Sequence, residues 1–242
     1  MASPIDTINI KAGDLDMKAL QTGSYRYILY NQQTKQSPAQ RITLVKINVE
    51  AKQYHNKPAI FVSQQWDRDT IMHAASSIFN AKDFSTILHE SWWKRLGYSM
   101  KFDFETKTAD FKNQGIKGEI PDSVKSIAIK DFNQSFENYN LNWHADLIIY
   151  QLLPYKENRT FVINYYDPGF GKAEKVSYTV TGSDFLYDSD GRKTDCWVLN
   201  HTDKSGSESF WIAKKTKEVL KEEDSSPNGY RYKVKIGVSG DK

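Results

Sequence analysis

The sequence predicts a mainly β protein: a curved antiparallel sheet or half-barrel, built from two similar β-meander halves, with one buried helix at about residues 140–153. Three observations carry this. Apolar and polar residues alternate with a period of two in several segments, turn residues separate those segments about every ten residues, and one segment is apolar on every side. The composition agrees, with 6 Trp, 14 Tyr and 12 Phe in 242 residues, since aromatic side chains fit pleated, half-buried surfaces. The chain reads as a single domain, 1–242, with a first β half over 21–130, the helix over 140–153 and a second β half over 158–238.

Residues 1–20 carry little pattern. From Gly23 onward Tyr25, Tyr27 and Leu29 alternate with Arg26 and Ile28. Val45, Ile47, Val49 and Ala51 alternate with Lys46, Asn48, Glu50 and Lys52, and Tyr98, Met100, Phe102 and Phe104 with Ser99, Lys101 and Asp103. In the second half Val176, Tyr178 and Val180 alternate with Ser177 and Thr179. At the end Tyr230, Tyr232, Val234 and Ile236 alternate with Arg231, Lys233 and Lys235. Side chains alternate faces along a strand, so each run is expected to turn its apolar set to the core. Asn56-Lys57-Pro58, Asp190-Gly191 and Pro227-Asn228-Gly229 supply turn chemistry. Asp190-Gly191 predicts a two-residue or slightly longer hairpin, joining a strand near 185–188 to one near 193–200.

The segment from Asn140 to Leu153 has no period of two, and Pro154 stops it. Asn140 or Asn142 can cap it. Trp143, Leu147, Ile148, Ile149, Tyr150, Leu152 and Leu153 spread around most of a helical wheel, and a helix apolar all round is a buried one. Residues 142–153 are therefore expected to be the longest helix, packed in the concave face of the sheet, with Trp143, Leu147 and Ile148 largely buried. The preceding residues 131–139, polar apart from Phe132, Phe136 and Tyr139, read as a loop.

The chain also matches itself without gaps at an offset of 132. Ala81-Lys82 lies over Ala213-Lys214, Leu88 over Leu220, Glu90 over Glu222, Gly97-Tyr98 over Gly229-Tyr230 and Lys101 over Lys233. The physical reading is a duplicated meander, with Tyr98 and Tyr230 in equivalent places; two amphipathic hairpins of like composition are the plainer alternative.

Val176-Ser177-Tyr178, Gly182-Ser183-Asp184, Asp190-Gly191, Cys196-Trp197-Val198 and Phe210 to Lys215 followed by Val219-Leu220 resemble the bacterial domain-of-unknown-function 3108 family (DUF3108). Leu153-Pro154 and Arg159 to Val162 fit its middle, and the resemblance covers roughly residues 21–238. It implies an exported envelope protein with a fold similar to that of outer-membrane lipoprotein carriers, and a hydrophobic ligand. It implies no established activity. The opening Met1-Ala2-Ser3-Pro4 has neither a charged region nor an apolar stretch of the signal-peptide kind. The expected location is periplasmic or otherwise exported with the signal trimmed, and the cytoplasm is the alternative.

The chain's chemistry excludes several classes. Net charge is +3, from 33 basic and 30 acidic residues interspersed along the chain, which is no nucleic-acid footprint. Cys196 is the sole cysteine, so no internal disulfide forms. The longest apolar run, Leu147–Tyr150, is far too short to span a bilayer. His55, His73, His89, His144 and His201 show no metal spacing, and His144 and Asp146, two apart, do not share a helical face. Asp188, Asp190 and Gly191 resemble the start of a calcium loop, but Arg192 stands at the next ligand position. Gly169-Phe170-Gly171-Lys172 lacks the spacing of a phosphate loop. Cys196 beside Trp197 reads as a buried small residue. Pairs such as Asp67 and Asp69, or Glu222 to Asp224, read as solvated strand ends.

No catalytic residue, metal ligand or cofactor is expected. Trp92-Trp93 is the less ordinary feature: neighbours on a strand face opposite ways, so one should be core and the other exposed or in a cleft. Tyr165-Tyr166 poses the same question. The reading is a non-enzymatic envelope protein that binds a lipid, a lipoprotein acyl chain or an envelope component through Trp143, Leu147, Ile148, Tyr150, Trp92 and Trp93. One alternative is a structural protein-interaction module with a filled core. A weaker one is a carbohydrate-active enzyme with two carboxylates about 5–9 Å apart in a cleft.

Overall fold

The computed structural model describes residues 6–115 and 118–237, and the Met1-Ala2-Ser3-Pro4 segment read above for a signal lies outside them. The strands are β1 (Asp6–Asn9), β2 (Gly23–Gln32), β3 (Gln40–Tyr54), β4 (Lys57–Asp67), β5 (Ile71–Asn80), β6 (Thr86–Trp93), β7 (Tyr98–Asp103), β8 (Thr108–Asn113), β9 (Leu141–Asn142), β10 (Arg159–Tyr166), β11 (Glu174–Tyr187), β12 (Lys193–Thr202), β13 (Ser207–Ala213), β14 (Val219–Ser226) and β15 (Gly229–Lys235). All join one sheet, in the order β1-β10-β11-β12-β13-β14-β15-β2-β3-β4-β5-β6-β7-β8, with β9 pairing β10 off this path. The pairings are antiparallel except those of β1 and β9 with β10. Two meanders thus meet at the β15–β2 pairing, where Lys233 lies opposite Leu29.

The sheet curls until its far strands approach without pairing. Phe104, just past β7, and Tyr166 on β10 have ring centroids 6.3 Å apart. A Cβ on Gly169 would stand 2.5 Å from Met100 Sδ, and its φ of +90° already favours glycine. The result is the expected curved half-barrel. Tyr25, Tyr27, Leu29, Val45, Ile47, Val49, Val176, Tyr178 and Val180 all turn inward and are buried, as the alternation predicts.

The buried segment takes a different form from the expected long helix. Residues 143–152 form a 3-10 turn (Trp143–Ala145), one α turn (Asp146–Ile149, α2) and another 3-10 turn (Tyr150–Leu152), directly after β9. Its apolar side chains fill the interior, with Ile149, Tyr150 and Leu152 wholly buried. Trp143 is only half-buried. Among the described residues the longest helix is α1 (Asp122–Ser135), and it includes residues 131–135, read from sequence as loop. Its pattern is weak because only Ala128, Phe132 and Ser135 are buried, whereas Ile127 and Ile129 face out. Phe132 anchors it against Phe102 and Phe104.

The turns follow local chemistry. The β3–β4 turn falls at His55-Asn56, both at positive φ, one residue before the expected site. Pro227-Asn228 closes β14–β15 as expected. The Asp190-Gly191 loop is longer than two residues: Tyr187 pairs with Lys193, leaving 188–192 between them. The Asp188 carboxylate accepts from the backbone N–H groups of Asp190 and Arg192, and Arg192 ion-pairs with both Asp188 and Asp190.

The β5–β6 and β13–β14 hairpins share one loop geometry, but the residues matched at an offset of 132 do not occupy equivalent places, so the duplication read from that match is not upheld. Asn80 N–H donates to Ser85 C=O as Ala213 donates to Glu218, and Phe84 and Lys217 both take positive φ, 58° and 62°. Both hairpins carry a bulge beside the loop, at Ile78/Phe79 and at Trp211/Ile212. These correspondences run at an offset of 133, one more than the sequence match. A one-residue slip moves every side chain to the other face. Accordingly Glu90 is exposed whereas Glu222 is buried. Tyr98 pairs with inward Trp93, whereas Tyr230 shares the outer face with Tyr232 and Tyr30. The expectation of equivalent tyrosines is therefore wrong.

The same inversion governs β15. Its tyrosines face outward, and Arg231, Lys233 and Lys235 face inward. Acidic partners on β14 and before it make this possible. Lys233 is 6% exposed and donates to Glu222, itself 2% exposed. Arg231 bonds Glu222 at 3.0 Å and also Asp224, and Lys235 meets Glu218. Asp146 of α2 lies beside this group, and the attraction of Glu222 and Asp146 holds the Lys233 ammonium charged against a burial penalty. Removing one member strands the others, so Lys233→Met is expected to cost about 3–5 kcal/mol by chemical denaturation, with Glu222→Gln in the double variant recovering part. Leu152→Ala should cost about 2–5 kcal/mol. Trp143→Ala, at a half-buried site, should cost less than the ~3 kcal/mol floor for a fully buried Trp.

Candidate functional site

One rim of the half-barrel gathers the β2–β3, β12–β13 and β14–β15 turns around a cleft of about 760 Å³. Trp143, His201, Glu208, Asp224 and Arg231 reach into its walls. Gly229 lines it: φ is +117° and a Cβ would come within 2.5 Å of Gln32 O. An inner cleft of about 190 Å³ adjoins it, lined by Trp66, His73, Trp93, His144, Asp146 and Asp167, and shares Trp143 and Arg231 as a common wall.

Two carboxyls of the outer cleft are held near neutrality. Glu208 and Asp224 are cross-strand partners on β13 and β14. Burial, then the nearby Asp224 and Glu222 charges, push Glu208 up to about 7, and the Tyr178 hydroxyl donates to it at 3.2 Å. Burial and Glu222 push Asp224 up to about 6, against the pull of Arg231.

The inner cleft is bordered by stacked rings. His73 lies on Trp93 with centroids 3.7 Å apart, and Trp66 meets both edge-on at 5.5 Å. His144 stands 5.3 Å from His73 and 4.6 Å from His89. Burial, with His144 nearby, drives the His73 pKa down to about 3 and that of His89 well below its usual value. Both rings are therefore neutral at pH 7. His73 Nδ1–H donates to Trp92 C=O at 2.8 Å, which leaves Nε2 a bare acceptor without a partner. Trp93 Nε1 also has none, and Asp167 Oδ1 makes no hydrogen bond although His144 Nε2 is 3.1 Å away. Among the described residues no group of three His, Cys, Asp or Glu side chains is disposed to hold a metal ion.

The residues singled out from sequence are scattered. Leu147, Ile148 and Tyr150 lie in the filled core, with the Tyr150 ring against Tyr178 and Phe210. Trp143 lines both clefts. Trp93 faces inward beside His73, whereas Trp92 faces the outer side, in a separate groove of about 500 Å³ with Ser24, Arg26 and Lys46. Sequence reasoning missed Arg231, Glu208, Asp224, His73 and Trp66. A signal existed for part of this: a two-residue turn at Pro227-Asn228 sets Glu222 opposite Lys233 and Asp224 opposite Arg231, a complementary charge ladder.

These features define an open antiparallel half-barrel with a filled apolar interior and a polar, aromatic-walled cleft at one rim. The chain belongs to the family described as a protein of unknown function, DUF3108, whose model matches residues 28–235. No curated protein matches it. It is similar to the β-barrel-like DUF1849 protein from Brucella abortus, with 6% identity and a TM-score of 0.41 over 92% of this chain and 99% of that one. It is also similar to a DUF1329 family protein from Desulfovibrio piger ATCC 29098, with 10% identity and a TM-score of 0.29 over 92% of this chain and 89% of that one. No helix among the described residues is long and apolar enough to cross a membrane.

The shifted groups make stability depend on pH in opposite senses. Buried neutral His73 contributes stability that is full above the ordinary histidine value and is lost as pH falls toward 3. Glu208, raised to about 7, contributes stability that is full below the ordinary carboxylate range and is lost as pH climbs to 7. Thermal unfolding should show Glu208→Gln gaining on the native protein at pH 8 but not at pH 4. His73→Phe should flatten the decline between pH 6 and 4.

Proposed function

We propose that the protein is a non-catalytic component of the bacterial envelope that binds a ligand or another envelope component at the rim cleft. The observation that carries this reading is the cleft beside Trp143. Its volume of about 760 Å³ falls within the roughly 300–1,000 Å³ of small-molecule sites, and a few polar groups converge on it. The envelope location rests on the family resemblance, an argument by analogy. An acyl chain along Leu147, Ile148 and Tyr150 requires the inner segment to move, because those side chains are packed. An amphiphile with its polar head in the cleft needs no such movement.

The Glu208–Asp224 pair supports a second reading, a carbohydrate-active enzyme, since two neighbouring carboxyls of unequal pKa resemble an acid and its partner. Arg231 donates to Asp224 Oδ2 and Tyr178 to Glu208 Oε2, so each carboxyl is tied to the wall through one oxygen, which favours binding over hydrolysis. Native mass spectrometry of protein purified from its host should show a bound small polar or amphiphilic molecule, and cell fractionation should place the protein outside the cytoplasm. A bare mass together with a cytoplasmic location would overturn the proposal. Release of nitrophenol from nitrophenyl glycosides, abolished in Glu208→Gln, would establish the second reading in its place.

A further inference from the structure

We propose that the inner cleft holds one uncharged sugar ring, the end of a glycan whose next residues enter the outer cleft; this rests on the reading of the rim as a binding site. Size comes first. At about 190 Å³ the space equals roughly six water molecules at ~30 Å³ each. That is enough for one six-membered ring with its hydroxyls.

The walls point to the same chemistry. A pyranose presents C–H groups on its ring faces and hydroxyls around its edge. Trp66, Trp93 and Trp143 border the cleft, and indoles offer a broad apolar body with one polar tip. Trp143 covers Tyr165 at 5.0 Å and lines both clefts, so it can serve the ring and the residue that follows it. Between the indoles stand polar atoms with unused capacity. His73, wholly buried, keeps Nε2 as an acceptor without a partner, and Trp93 Nε1–H is a donor without one; Asp167 Oδ1 stands 3.1 Å from His144 Nε2. Bare donors and acceptors side by side suit hydroxyls, which both donate and accept. They suit neither a carboxylate, which only accepts, nor an ammonium, which only donates.

Charge decides what remains. The ionic groups lining the cleft are Asp146, Asp167, Arg231 and Lys233. Both cations are already bonded to Glu222, and Arg231 also to Asp224. A phosphate or carboxylate finds no uncommitted cation here and meets Asp146 and Asp167. A quaternary ammonium offers no acceptor to the unpartnered Trp93 Nε1–H and no donor to His73 Nε2. An uncharged polyol meets neither obstacle.

The test uses the full chain and the sugars glucose, galactose and N-acetylglucosamine, with their β-linked and α-linked trisaccharides, followed by tryptophan fluorescence and ligand-observed NMR. At least one monosaccharide should quench fluorescence with a Kd on the order of 1 mM, and its trisaccharide should bind at least tenfold more tightly. His73→Phe keeps a ring against Trp93 but removes both the Nε2 acceptor and the Nδ1–H bond to Trp92 C=O. It should weaken binding at least tenfold while the variant still unfolds cooperatively and keeps the far-UV circular dichroism of the native protein. Trp143→Phe should reduce the gain from monosaccharide to trisaccharide. Failure of every sugar to bind, or binding equally tight in both variants, would overturn the inference. A lipid or peptide found on the purified protein, with no sugar bound, would overturn it while leaving the rim-binding function intact.

Discussion

The architecture depends on one buried charge pair, Lys233 with Glu222. Two ions this deep are costly to desolvate, and each is tolerable only because the other, with Arg231 and Asp146, is in place. The pair fixes which face of β15 looks inward. That choice in turn sets β15 against β2, because Lys233 lies opposite Leu29 and Lys235 opposite Tyr27. The join between the two meanders is thus specified by charge where the rest of the wall is specified by apolar burial. Arg231 then emerges from the same network at the rim, so the element that orders the sheet also supplies a wall of the cleft.

The interior separates into two regimes along its axis. Below, the turns from Asp146 to Leu152 fill the space with Ile149, Tyr150 and Leu152 and leave nothing to occupy. Above, beside Trp143, the same segment gives way to histidines, carboxyls and indole edges. The boundary falls within one turn of chain. Asn142 marks it: its side chain accepts from His144 N–H and donates to His89, tying the entry of the segment to β6. The positions of the cleft rings are therefore set by a packed core immediately beneath them.

Sequence periodicity made the sheet legible, because alternation reports which residues share a face. It did not report which face is inner. In β2, β3 and β11 the apolar set and the inner set coincide; in β15 they are opposed, because β14 carries acids at matching positions and the outer tyrosines stack on Tyr30. The same blindness produced the self-match at 132, in which Glu90 and Glu222, and Lys101 and Lys233, lie on opposite faces while the backbone repeats one residue later. Helix α1 was missed because a lightly amphipathic helix lying over a sheet edge buries only a few side chains. The cleft was legible only at Trp143 and Trp93. Its other groups come from β4, β5, β13, β14 and β15, and nothing local to any of these strands marks them as neighbours.

The pairing of β2 with β15 also has a consequence in time. Tyr30 and Tyr232 are cross-strand partners separated by nearly the whole chain. At synthesis rates of roughly 5–20 residues per second, β2 is made tens of seconds or so before its final neighbour. Through that interval the hairpins of β2 to β8 can form locally, while one edge of β2 presents unpaired N–H and C=O groups. Contacts this distant in sequence are slow to form. The nascent chain therefore passes through a stage in which half a wall stands with a raw edge, and its safe passage depends on that edge being shielded until the last strand arrives.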